Sequence, residues 1–566
     1  MAAVTAVVRR FVTVGNRQVH YRRGGSGPPA VLLHESPLSS RVLVPLAEAL
    51  AGVGFTAFAL DTPGYGQSDP LHAAAPTVAD YAAATAEAIE ALGIGQCLLY
   101  GAHTGAQIAI ELARTRPDLV TGLVAEGPPL LTAAERDELL ARYCPPLDPV
   151  WDGSHLLAAW AMRRDQAIFW PWFSHDRSHR RSADMLPAEV LHDGLVDTLR
   201  AGAGYGLGYR AAYTYDCGPA LAALAVPAHV VVTEGIFLAD QLERLPALPA
   251  TVQVELLPDD RAVAVERLCA IAGEHRPAAA APPPPPSLHI AGRITRDYAT
   301  TAFGQLLARR ATETAGRPLV LLHASPGSAA SLEPLLLLLA PYRPVVALDT
   351  LGHGESDAPT WQEAPVDDSA MTVIAALDRL GVADFDLFGT HTGAEIAIRV
   401  AALASHRVHS LVLSNVNLAG PELRASLLER QALPVLPRDD GSHLLEAWGR
   451  LKDSAGWFPW YERTRTAIRW QAPPSAAELH ALLVELLKGG ATNHIATNAG
   501  FAHDTAAALR QVQARTLVVS ALGDVLHEHS GAAAELLANG TAYLLPGPVA
   551  ETAAVIERFL RSGAPG

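Results

Sequence analysis

The sequence has little that would tie it to a membrane, an oxidising compartment or a local metal motif. No apolar run reaches the roughly 18 residues needed to cross a bilayer. The N-terminal stretch MAAVTAVVRRFVTV places its arginines after the apolar residues, the reverse of a secretory signal. Only four cysteines occur in 566 residues, Cys97, Cys144, Cys217 and Cys269, all in the first half and without metal-ligand spacing. They read as reduced thiols, which predicts a cytoplasmic protein. Basic charge is in deficit: 43 Lys and Arg against 58 Asp and Glu leave a formal net charge of -15. An acidic surface repels phosphate backbones and anionic lipid, so neither nucleic acid nor membrane is expected as a partner. The remaining composition, 49% hydrophobic and 18% charged, is that of a globular chain too long for one core.

The strongest positive signal is internal repetition. LLYGAHTGAQIAIELA around His103 returns as DLFGTHTGAEIAIRVA around His391, 288 residues later. LDTPGYGQSD with Asp61 returns as LDTLGHGESD with Asp349, and WDGSHLLAAW with His155 returns as DDGSHLLEAW with His443, both at the same offset. LLHESPLSS with His34 returns as LLHASPGSA with His323, offset by 289. Between the copies lies RPAAAAPPPPPS, whose five consecutive prolines, 282–286, favour an extended spacer. These features predict a first domain over 1–275, a linker over 276–287 and a second domain over 288–566. Duplicated halves of this kind suit an internal pseudo-dimer.

Within each copy, apolar β-branched runs alternate with Ala/Leu-rich helical stretches. AVLLH, FTAFALD and CLLYG read as buried strands, and PLAEALAG and ADYAAATAEAIEALG as crossover helices. The alternation predicts an α/β fold with a mostly parallel sheet covered on both faces. Ligands of such sheets sit beyond the carboxyl ends of the strands, where His34, Asp61 and His103 fall. Residues of about 130–210 and about 418–500 break the alternation and read as helical caps. They hold eight of the nine tryptophans, which are expected mainly to pack the caps.

Three ordered motifs, each present twice, resemble those of α/β-hydrolase-fold proteins. They are His34-Glu35-Ser36-Pro37 and His323-Ala324-Ser325-Pro326; Asp61 to Ser68 and Asp349 to Ser356; and the elbows Gly101-Ala102-His103-Thr104-Gly105 and Gly389-Thr390-His391-Thr392-Gly393. The resemblance implies two tandem α/β-hydrolase-like domains, each with a helical cap. It also implies an oxyanion hole from the amides of Ser36 and Thr104, or Ser325 and Thr392, in the vicinity of His34 or His323. Asp61 and Asp349 are expected to structure their loops. Asp524 matches the family's acid in the second half, whereas the first offers only Glu234, slightly out of position.

The elbow is where the pattern departs. A histidine stands where the family has its nucleophilic serine, and neither LLPDDRAVAV nor LLPGPVAETA supplies the usual distal histidine. An acyl-serine therefore cannot form at either elbow. Three histidines recur instead: His34/His323, His103/His391 and His155/His443. A neutral elbow imidazole can act as a general base or a nucleophile. The leading expectation is an enzyme acting on a small carbonyl compound (ester, amide or C–C bond beside a carbonyl), with His391 and His103 as bases, and Asp524, His443 and His155 as further catalytic candidates. No cofactor is expected, and the partner is a small-molecule substrate. Two alternatives stand beside it: a non-catalytic ligand-binding domain pair, and a metal-dependent hydrolase or lyase using the histidines with a carboxylate such as Asp349 or Asp440. Tyr205 and Arg210 become Asn493 and Asn498 in the second copy, which also has His353, His494 and His527. The two pockets should therefore differ, with the second the better candidate.

Overall fold

The computed structural model describes residues 6–564 apart from 236, 364, 471, 546 and 548. The first five residues of the N-terminal stretch lie outside the described residues. The chain divides into two compact units, Met1–Asp148 with Ser154–Leu288, and Pro149–Gly153 with His289–Gly566.

The first unit is built on strands β1 (Val8–Val14), β2 (Arg17–Gly25), β3 (Pro29–Leu33), β4 (Thr56–Leu60), β5 (Cys97–Ala102), β6 (Val120–Glu126), β7 (Ala228–Thr233) and β8 (Val252–Leu257). They form one sheet in the order β1-β2-β4-β3-β5-β6-β7-β8. β1, β2 and β4 pair antiparallel and the rest pair parallel. The second unit repeats this order with β9 (Thr295–Thr301), β10 (Gly304–Ala311), β11 (Leu319–Leu322), β12 (Val345–Leu348), β13 (Phe385–Thr390), β14 (Val408–Ser414), β15 (Arg515–Ala521) and β16 (Gly540–Leu545). The three sequence runs read as strands are β3, β4 and β5; the antiparallel hairpin β1–β2 was not foreseen. Its residues alternate too weakly, with RR pairs at both strands, to stand out from a loop.

Helices cover both faces of each sheet, giving two apolar layers per unit. The central strands β3, β4, β11 and β12 are buried along their whole length, which is why their sequences are continuous apolar runs. The segments read as caps contain helices Ala133–Arg142, Ser154–Ile168, Ala188–Ala201 and Leu207–Thr214 in the first unit, and Pro421–Arg430, Ser442–Gly456, Ala476–Gly489 and His494–Ala502 in the second. Asp440 accepts a hydrogen bond from the Ser442 amide (2.9 Å) at the start of its helix, as the DGSH segment implied. No described helix is long and apolar enough to cross a membrane.

Residues 276–287 carry no regular secondary structure and run along the first unit. Arg276 donates to the carbonyls of Gly54 (2.9 Å) and Val53 (2.8 Å), and the Ala281 amide donates to Gly27 O (2.8 Å).

Each elbow is a sharp turn from strand to helix. His103 (φ 48°) joins β5 to helix Thr104–Thr115, and His391 (φ 49°) joins β13 to helix Thr392–Leu403. The flanking glycines are required by contact. A Cβ on Gly105 would stand 2.4 Å from Leu33 O, and one on Gly393 would stand 2.4 Å from Leu322 O and 2.5 Å from His323 O. Gly393→Ala is therefore expected to cost about 2 kcal/mol or more, read as a fall in thermal unfolding temperature; an unchanged transition would mean that the β11 loop yields freely.

Candidate functional site

Beyond the carboxyl ends of the second unit's strands lies a cavity of about 460 Å³ bounded by Ser325, His391, Thr392 and Asp524 and roofed by cap residues including Trp457, Phe458 and Trp460. A smaller cavity of about 330 Å³ in the first unit is bounded by Ser36, His103, Thr104 and Glu126, with Tyr143, Trp170 and Tyr209 from the cap.

In the second cavity, His391 Nε2 is 3.1 Å from Asp524 Oδ2, and its Nδ1 is 3.1 Å from Thr390 Oγ1. Burial opposes ionisation of Asp524. Hydrogen bonds from His391 and from the Leu526 amide, with the charge of Arg469, more than offset it and hold the carboxyl below its ordinary value. An ionised carboxylate only accepts, so Nε2 carries the ring proton and Nδ1 is the basic nitrogen.

The first cavity lacks this pair. His103 Nδ1 meets the carbonyl of Gly127 at 3.2 Å. Glu234, the acid weighed for this half, is exposed and does not line the cavity. Two carboxylates do, Glu35 and Glu126, and Glu126 is engaged by Tyr100 Oη (2.5 Å) and Arg261 (3.3 Å). The oxyanion position also differs between the copies. The Ser36 amide donates to Thr104 Oγ1 at 2.7 Å, so the chain's own hydroxyl occupies it. Among the described residues no counterpart of this bond joins Ser325 and Thr392. Ser325 Oγ instead bonds His353 Nε2 at 2.9 Å.

His34 and His323 brace the loops at the ends of their strands. His34 Nδ1 donates to Glu35 O (2.9 Å) and its Nε2 accepts from the Thr62 amide (3.0 Å); His323 does the same with Ala324 O (2.8 Å) and the Thr350 amide (3.1 Å). Both rings are 1% exposed, and each ties the loop after one strand to the loop after its neighbour. His443 accepts from the Arg438 amide (3.2 Å), and neither it nor His155 lines either of these two cavities. Among the described residues, the repeated histidines of a half do not form a group of three ligating atoms within 4.8 Å of one another.

Asp61 and Asp349 hold their loops, as expected. Asp61 accepts from the amides of Ser40 and Gln67 (both 2.7 Å) and from His20 (2.7 Å); Asp349 accepts from Ala329 (2.7 Å) and Glu355 (2.8 Å). The tryptophans divide between roles: Trp160 and Trp448 are buried in the caps, whereas Trp170, Trp457 and Trp460 face the cavities.

Sequence reasoning missed the cavity arginines. Arg181 and Arg469 stand at the repeat offset of 288, line their respective cavities, and donate to the carbonyls of Gln166 (2.7 Å) and Ser454 (2.6 Å). The offset was the available signal. Arg450 joins Arg469 in the second cavity, held by Leu433 O (3.0 Å).

Burial, and secondarily the neighbouring His323, push His353 down to about 3 despite the carbonyls of Leu351 and Asn493. From pH 6.5 down to about 3 the unfolded chain binds a proton that the folded chain refuses, so stability falls as pH falls across this window. His353→Gln should flatten the decline in unfolding temperature between pH 6.5 and 4. An equal slope in both proteins would remove His353 as its source.

The α/β hydrolase fold model matches residues 317–448, and the model described as serine aminopeptidase, S33 matches residues 31–183. A dihydrolipoyllysine-residue acetyltransferase component of the acetoin cleaving system of Pseudomonas putida is 43% identical over 101 residues, 17% of this chain and 26% of its own. The (E)-2-((N-methylformamido)methylene)succinate hydrolase of Acinetobacter baylyi is 34% identical over 128 residues, and the 2-(acetamidomethylene)succinate hydrolase of Mesorhizobium japonicum is 33% identical over 136. These two matches cover 22% and 24% of this chain and 48% of each relative, so the chain spans about half the length of these hydrolases or less. Among solved structures, an E-2-(acetamidomethylene)succinate hydrolase is 23% identical over 48% of this chain and 99% of its own, with a TM-score of 0.38.

Proposed function

We propose that in this chain, built of two tandem α/β-hydrolase-like domains, the second domain hydrolyses a small carbonyl compound that carries a free carboxylate, with His391 as general base. The observation that carries this reading is the 3.1 Å contact between His391 Nε2 and Asp524, both of which line the cavity. Asp524 fixes the tautomer and stabilises the imidazolium that forms when Nδ1, released by rotation of the Thr390 hydroxyl, takes a proton from water. That water attacks the carbonyl carbon, the amides of Ser325 and Thr392 receive the developing oxyanion, and its collapse breaks the bond to the alkoxide or amine, which leaves with the proton held on Nδ1. No acyl-enzyme is needed. Arg450 and Arg469 supply planar donors suited to a carboxylate, which fits the succinate moieties in the names of the Acinetobacter and Mesorhizobium hydrolases.

The first domain is read as a ligand-binding partner without turnover. Its elbow histidine has no carboxylate against it, and the Ser36 amide is occupied by Thr104.

A panel of amides and esters, each with and without a free carboxylate, tests both parts. His391→Ala should lower kcat by about a hundredfold or more, and Asp524→Asn by on the order of a hundredfold, while His103→Ala leaves turnover unchanged. Turnover that persists in the His103→Ala/His391→Ala double variant would overturn the mechanism. Arg469→Met should raise KM about tenfold for carboxylate-bearing substrates and leave neutral analogues unaffected; equal effects on both would sink the substrate class.

A further inference from the structure

We infer that the first domain binds a zinc ion through His229, Glu274 and His275, at the opposite end of the sheet from the cavity. His229 is the second residue of β7, whose last residue, Thr233, lines the cavity; four residues of strand put about 13 Å between them. Glu274 ends helix Arg261–Glu274 and His275 follows it.

One ligating atom from each of the three side chains lies within 4.8 Å of the other two. His229 Nε2 is 3.8 Å from Glu274 Oε2, and the two imidazole rings are 5.2 Å apart between centroids. The His229 side chain is 1% exposed, yet its Nδ1 takes no hydrogen bond from the described residues, and neither does the shielded Nε2 of His275. The shielded, unbonded Nε2 of His275 is costly unless something satisfies it, and His229 offers the Nε2 that stands beside Glu274.

The second domain shows what the fold places here when nothing needs binding. At the repeat offset of 288, His229, Glu274 and His275 become Leu517, Ser562 and Gly563. Leu517 is fully buried in the apolar layer of its sheet. An apolar residue is thus sufficient for packing, and the three ligand-type residues of the first domain arise together and in contact.

Two imidazoles and one carboxylate form a donor set suited to zinc, whereas magnesium and calcium favour oxygen ligands. Ligands about 2.0–2.2 Å from a tetrahedral ion stand about 3.3–3.5 Å from one another. Closing the observed spacing takes shifts on the order of 1 Å at most, within reach of Glu274, whose side chain is 49% exposed. Arg267 stands 3.9 Å from the other Glu274 oxygen, but its stronger partner is Glu255, at 2.6 Å. Three protein ligands leave a fourth position for water. The ion would pin the end of the last helix to β7 immediately before the 276–287 segment begins.

The full chain, stripped of metal by a chelator and dialysed, is titrated with zinc chloride by calorimetry, and cobalt(II) is used in parallel for its visible absorption. The expected result is saturable binding of one ion per chain with Kd of about a micromolar or tighter and a rise in the first domain's unfolding temperature. His275→Ala and Glu274→Gln should each weaken it by about a hundredfold, since loss of a direct ligand exceeds outer-shell effects of 10–100-fold. His229→Leu, which installs the residue the second domain uses, should abolish binding while the chain stays folded. His103→Ala/His391→Ala should bind zinc like the parent, which separates this site from the proposed catalytic one. No saturable binding below about 100 µM, or binding undiminished in His229→Leu and His275→Ala, overturns the assignment.

Discussion

Everything about the two sites depends on a turn that brings backbone against backbone. At each elbow the chain leaves a central strand, passes through a residue at positive φ, and starts a helix whose first glycine lies against the loop of the adjacent strand. That close approach permits nothing larger than hydrogen at Gly105 or Gly393. It also fixes the side chain of the turn residue at the cavity floor. A strained backbone of this kind costs about 1–3 kcal/mol and persists only where its surroundings over-determine it. Here they do so through buried braces: His34 and His323 cross-link adjacent loops, and Asp61 and Asp349 collect amides from others.

With the scaffold identical in outline, the copies differ in what surrounds the ring. In the second, an ionised Asp524 orients His391, and His353 holds the Ser325 hydroxyl. In the first, Gly127 O is the ring's partner and Glu126 is spent on Tyr100 and Arg261. The same fold therefore holds one histidine against a charge and the other against a neutral dipole.

Much of this was legible in the residues. The strands appeared as continuous apolar runs because central parallel strands are buried on both faces, and the elbows appeared because their glycines are sterically forced. Asp524 was found by its place after a late strand. The roles of the other histidines were not legible: His155 and His443 recur at the repeat offset as faithfully as the elbow histidines, yet neither lines either of the two cavities. Recurrence marks what the fold needs as readily as what chemistry needs. Arg181 and Arg469 escaped notice because arginine in a polar cap segment looks like solvated surface until the cavity closes around it. The β1–β2 hairpin escaped because its pattern lacks a clean period of two.

The bond from the Ser36 amide to the Thr104 hydroxyl shows how neighbours set the role of an unchanged pair. Both copies keep Ser and Thr at these positions, so the blocked and the open arrangement differ by their neighbours and not by their own identity. Tyr65 stands where the second copy has His353, and its hydroxyl is committed to the Gly208 amide and the Tyr205 carbonyl. Freeing the Ser36 amide for a ligand would require its bond to Thr104 Oγ1 to be given up. The same two residue types thus form an internal pair in one domain and remain separate groups in the other.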